Sequence, residues 1–194
     1  MTIMESQDVR LHRSFMELHD EDRALVDLLR RTGVDFSGAL ACSGVFRPRG
    51  ERMYSAAGSA DPWTRMSDPD ARRKRAAEHE SAHLLAAVVL GVRPREARIE
   101  DDGSGWTRHD EAPPEKRAVI AAAGHVWISE FRGAEFPADT GGGCGDDLRE
   151  VTRASGGGLA EVEAYQRAHD LLSAHPNHVL CLAGQLQLSG RLVF

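Results

Sequence analysis

The sequence predicts a mostly α-helical α+β fold with a small β element. Small and apolar residues recur at helical spacing along most of the chain, whereas one segment, "REARIEDDGSGWTRH", alternates and folds back around Asp101 to Gly105. A chain of 194 residues with 41% apolar content is long enough to bury one main core. The longest apolar run, Leu84 to Leu90, falls far short of the ~20 residues that span a bilayer.

Taken in order, the elements begin with "RSFMELHDEDRALVDLLRR", residues 13 to 31. Here Phe15, Leu18, Leu25, Leu28 and Leu29 mark an amphipathic helix that stops at Gly33. From Val34 to Met66 glycine, proline and serine are scattered among isolated aromatics such as Phe46, Tyr54 and Trp63, which predicts irregular chain. Residues 1–67 are therefore read as an N-terminal appendage, and 68–194 as the main domain. The domain opens on "SDPDARRKRAAEHESAHLLAAVVLGV", where Asp68 can cap a helix, Pro69 suits its first turn and Gly91 its end. The strand pair follows. After it, "APPEKRAVIAAAGHVWISEF" starts a second core helix at its prolines and runs to Phe131. The glycine-rich "DTGGGCG" leads into "DDLREVTRA", acidic at its start and basic at its end as a helix dipole favours, and two further helices are expected near Leu159 to Ala174 and Asn177 to Leu188.

Composition excludes several classes of function. A net charge of −6, with one local basic cluster at Arg72 to Arg75, does not provide the basic face that nucleic acid requires. That cluster reads as the solvated first turns of a helix. The three cysteines, Cys42, Cys144 and Cys181, are far apart and contain no Cys-x-x-Cys pair, so no disulfide framework or cysteine zinc cage is expected, and a reducing cytoplasm fits. The N-terminal residues lack the apolar stretch of a signal peptide, and no membrane insertion is expected.

The chemistry concentrates in His79-Glu80-Ser81-Ala82-His83. On a helix the two histidines lie one turn apart on one face, so both imidazoles reach one ion at about 2.0–2.1 Å. Glu80 is turned about 100° from His79 and addresses a water beside the ion rather than the ion itself. This is the arrangement that metal-assisted amide hydrolysis requires: zinc acidifies water and polarises a carbonyl, and a glutamate moves the proton to the leaving amine. The competing reading is a pair of structural histidines satisfied inside a core. An open zinc site needs a third protein donor. A histidine six residues beyond His83 is excluded because Val89 stands there, and Glu96, Glu100, Asp101 and Asp102 belong to the strand pair. Asp146 and Asp147, at the start of a helix, are the better candidates.

The order "AAEHESAHLLAAVVLGV", strand pair, "VIAAAGHVWISEF", "GGGCGDDLREVTRA" resembles the peptidase domain of the FtsH family of ATP-dependent zinc proteases, over roughly residues 70–190. The resemblance implies a zincin-like metallopeptidase fold, zinc held by His79, His83 and Asp147, and Glu80 as the general base, with Asp146 at the position of the family's usual asparagine. The family's ATPase module has no counterpart here: nothing matches Gly-x-x-x-x-Gly-Lys-Ser/Thr. Gly124-His125-Val126-Trp127-Ile128 also lacks the arginine and glutamate of the family's Gly-Arg-x-Ala-Glu pattern.

The expectation is a soluble, cytoplasmic zinc endopeptidase. It acts without ATP on peptides or unfolded segments, with residues 1–67 available to a protein partner. Two alternatives stand beside it: a catalytically weak metal-containing binding or regulatory protein, and the peptidase subunit of a machine with a separate ATPase. His125 is read as a structural residue of the second core helix, and Cys144 as a small residue of a glycine loop. Cys42 is read as a buried thiol, with capping of the zinc as a minor alternative.

Overall fold

The computed structural model describes residues 7–43, 68–133 and 145–194. Of the stretch Val34 to Met66, expected to be irregular, the part described is corrected, since Phe36–Cys42 is helical; residues 44–67 and the glycine loop around Cys144 lie outside the described residues. The described chain is mostly helical, with one small antiparallel sheet.

The first predicted helix is two. Helix α1 (Gln7–Met16) ends before Leu18, and α2 (Asp20–Arg31) begins on Asp20, Glu21 and Asp22, three carboxylates that favour a new helix N-terminus over the interior of a continuing one. Leu25, Val26, Leu28 and Leu29 form the buried stripe of α2. Helix α3 (Phe36–Cys42) is capped by Asp35, whose carboxylate accepts from Gly38 N at 2.6 Å.

Helix α4 (Pro69–Val89) is the axis of the fold. Asp68 caps it, Pro69 fills its first position, and every residue from Ala76 to Ala87 is buried. A helix buried all round needs neighbours on every side. They are α2, the sheet, and three later helices: α5 (Pro114–Val126), α7 (Leu159–Ala174) and α8 (Pro176–Ser189). The alanines of α4 and α5 make close approach possible, while the fully buried Leu84 and Leu85 each contribute about 1.5–3 kcal/mol by leaving water.

The strand pair forms as predicted. Strand β1 (Pro94–Ile99) and β2 (Gly105–His109) join as a hairpin. A third strand, β3 (Arg191–Val193), was not legible in the sequence. Gly190, at φ +71, turns the chain out of α8 so that Leu192 pairs with Ala97, giving the order β2-β1-β3. The register sets Ala97 opposite Thr107 and Ile99 opposite Gly105. With Ala97 and Ile99 buried, Gly105 and Thr107 share the inner face, toward α4.

Helix α5 does not run unbroken to Phe131. From Trp127 to Phe131 it widens into a π-helical turn anchored by Glu78 of α4, which accepts from Trp127 Nε1 at 3.0 Å and from Arg132 Nη2 at 3.2 Å. Helix α6 (Gly145–Ser155) then packs on α5.

Two readings of polar and sulfur groups require correction. The first turns of α4 are not simply solvated: Arg72 to Arg75 are half-buried, and Arg73 binds Asp101 at 2.8 Å and the Gln187 carbonyl at 3.4 Å. Cys42 is not a free thiol. It is disulfide-bonded to Cys181 of α8, 139 residues away, because α3 packs on α8. This removes both the zinc-capping role and the argument from unpaired cysteines to a reducing compartment. Among the described residues no helix is long and apolar enough to cross a membrane.

Candidate metal centre

Helical geometry brings His79 and His83 to one face of α4, with their Nε2 atoms 3.0 Å apart. The third group comes from α6. Asp147 Oδ2 lies 2.9 Å from His79 Nε2 and 3.2 Å from His83 Nε2, so one carboxylate oxygen and two ring nitrogens converge on a single point. Its neighbour Asp146 stays outside this cluster, exposed and paired with Arg149.

These three residues form a group that could hold a metal ion. A tetrahedral ion with bonds of about 2.0–2.1 Å spaces its donors about 3.3 Å apart. The observed spacings of 2.9, 3.0 and 3.2 Å are a few tenths short of that, so a small outward movement of the side chains is enough. The room is created by Gly124 of α5: a Cβ there would lie 2.4 Å from His83 Nε2 and 2.6 Å from His79 Nε2. Any other residue at 124 would occupy the space the donors share.

Hydrogen bonding presets one of the three groups. His83 Nδ1 donates to the Ile120 carbonyl at 2.6 Å, and since a carbonyl only accepts, the proton resides on Nδ1 and the Nε2 lone pair faces the common point. Burial would lower the His83 pKa, but the charge and hydrogen bond of Asp147, assisted by Glu80, outweigh it and raise the pKa above the ordinary value. Burial would correspondingly raise Asp147, yet His83 and His79 hold it well below the usual carboxylate range. The group therefore favours net positive charge at its centre, whether the charge is a proton or a metal ion.

Access is one-sided. The histidine side chains are only 9% and 7% exposed, against 27% for Asp147, so solvent enters past the carboxylate. A cavity of about 330 Å³ opens there, lined by Glu80, His83, Thr107, Arg117, Ile120 and Asp147 among others. Glu80 is itself buried. Its Oε2 accepts from Thr107 Oγ1 at 2.9 Å, and its Cγ and Oε1 pass over Gly105.

The structure brings His79, His83 and Asp147 into one cluster, sets Glu80, His83 and Asp147 along one cavity, and leaves His125 out of the cluster, its ring 6.1 Å from that of Tyr165. Sequence reasoning missed the contributions of Gly124, Gly105, Thr107 and the Ile120 carbonyl. Gly124 carried a signal, a lone glycine in the alanine-rich interior of a helix. Thr107 carried little, since threonine is ordinary in a strand. No protein-family model, curated protein or solved structure matches the chain.

Proposed function

We propose that this chain is a zinc-dependent endopeptidase with a zincin-like catalytic arrangement, similar to the peptidase domain of the FtsH family. His79, His83 and Asp147 would hold the ion. The single observation that carries this reading is the convergence of three donors from two helices, two imidazoles and a carboxylate, with Glu80 lining the same cavity as His83 and Asp147. Bound zinc supplies Lewis-acid polarisation of the scissile carbonyl and makes the attacking water more acidic.

The chain's own groups supply the proton transfers. Glu80 accepts a proton from the attacking water as the new C–O bond forms, then delivers it to the amide nitrogen as the C–N bond breaks. The buried position of Glu80 limits competing water around that carboxylate. Strand β2 borders the cavity and, among the described residues, has β1 on only one side, which leaves an edge able to pair with an extended peptide backbone. A folded protein cannot offer such a strand, so flexible peptides and unfolded segments are the substrates, and no nucleotide is needed.

The test is Glu80→Gln in zinc-loaded protein, assayed on casein and flexible peptides. The variant keeps the three donors, so zinc content stays at about one per chain while turnover falls by about 10² to 10⁴. Equal activity of the two proteins would sink the proposal.

A further inference from the structure

A buried carboxylate on a flexible side chain needs a partner and a fixed direction. Glu80 is 5% exposed and its side chain has three rotatable torsions. Among the described residues the hydrogen bond to its carboxylate comes from Thr107, whose Oγ1 lies 2.9 Å from Oε2 and 3.1 Å from the Glu80 carbonyl oxygen. The hydroxyl has one proton, and the charged carboxylate is the stronger acceptor.

Strand geometry aims that donor. The pairing of Ala97 with Thr107 and of Ile99 with Gly105 puts both β2 residues on the face toward α4, two residues apart. A Cβ at Gly105 would lie 2.9 Å from Glu80 Cγ and 3.1 Å from Oε1, so the absence of a side chain there leaves the carboxylate a slot along the strand. Thr107 holds one oxygen at the end of the slot, and the other remains available to the cavity. Threonine's branched Cβ restricts χ1, which keeps the hydroxyl aimed.

We propose that Thr107 is a positioning residue for the general base: with the slot above Gly105 it fixes the Glu80 carboxylate in the orientation that receives the proton of the attacking water. The proposal rests on the peptidase reading above. It assigns Thr107 no contact with substrate or metal.

Four proteins test it: wild type, Thr107→Val, Thr107→Ser and Thr107→Ala. Each is measured for zinc content, melting temperature, kcat and KM on a flexible peptide, and affinity for a peptide hydroxamate, whose acidic proton also passes to the base. Thr107→Val preserves shape and removes the donor, so kcat falls by about ten- to a hundredfold and hydroxamate affinity weakens, while KM and zinc content hold. Thr107→Ser restores both. If valine disrupts the fold, serine and alanine still decide the matter, since they differ by the one oxygen: serine retains the higher kcat and the tighter hydroxamate. Equal kcat and equal hydroxamate affinity for serine and alanine, in an active wild-type background, would overturn the role of Thr107 and leave the peptidase reading standing. A wild-type chain that takes up no zinc and cleaves nothing would overturn both.

Discussion

His79 and His83 on α4, and His175 and His178 at the start of α8, are two close histidine pairs with edge-on rings, the centroids 4.6 Å apart in the first and 5.6 Å in the second. Both pairs contain buried rings. What differs is the company. Asp147 reaches both nitrogens of the first pair within hydrogen-bond distance, and the His83 pKa rises despite its burial. At the second pair the nearest carboxylate, Asp22, lies 3.9 Å from His175, and His178 Nε2 is buried without a hydrogen-bond partner among the described residues. Burial, and then the neighbouring His175, push the His178 pKa down to about 4. Burial beside a second imidazole therefore holds His178 neutral. A shared carboxylate at the point where their lone pairs meet makes the place favourable for a cation.

The comparison breaks most forcefully if the carboxylate is removed. Asp147→Ala turns the first pair into something like the second, and zinc affinity measured by competition with a chelator falls more than about a hundredfold, beyond the usual cost of losing an outer-shell partner. Asp146→Ala removes an exposed group outside the cluster and leaves affinity near wild type. Reversal of that order would move the third donor to Asp146.

An effect of intermediate size is expected at the other pair. An unfolded His178 protonates near the ordinary value of 6.5, whereas the folded one stays neutral to about 4. The folded state is therefore unpenalised above pH 6.5 and loses stability as the pH falls toward 4, by up to about 3 kcal/mol. Denaturant titrations of wild type and His178→Leu across that window measure it: the variant loses less on acidification. An identical pH slope in both would mean that His178 finds a proton-accepting partner when charged.

The smallest effect sharpens the contrast between the helices themselves. Gly124 of α5 and Gly184 of α8 are both helix-interior glycines, but a Cβ at 184 meets nothing within 4 Å. Gly184→Ala should raise stability by about 0.5–1 kcal/mol through helix propensity alone and leave zinc affinity unchanged. Gly124→Ala, with the same gain in propensity, should lose zinc, because its methyl group needs the space between the imidazoles. Zinc bound normally by Gly124→Ala would show that α5 shifts freely away from α4.

The parts of the site that could be read in advance are those set by local geometry. Asp68 and Pro69 mark a helix start through their own capping and φ preferences, and a four-residue spacing puts His79 and His83 on one face wherever the helix lies. The alternation of "REARI" and "GWTRH" about a glycine turn likewise contains its own hairpin. The departures share a different character. The break between α1 and α2 depended on charges that a hydrophobic pattern does not weigh. The π-helical turn depended on Glu78 reaching across to Trp127 and Arg132, β3 on the return of the chain to β1, and the Cys42–Cys181 bond on the meeting of α3 and α8.

The sequence by itself determined the pair of imidazoles, the adjacent glutamate and the helix that carries them, because a helix fixes relations only a few residues long. Tertiary structure decided which carboxylate completes the triad: adjacent aspartates differ by about 100° around α6, and only the docking of that helix on α5 selects Asp147 over Asp146. It decided equally that Gly124 leaves the shared space, that Ile120 presets the tautomer of His83 and that Thr107 meets Glu80. Asp147, Ile120 and Thr107 are between 27 and 68 residues distant in sequence from the side chains they serve, and no local preference spans such a separation; packing around a buried α4 brings them within 3.2 Å.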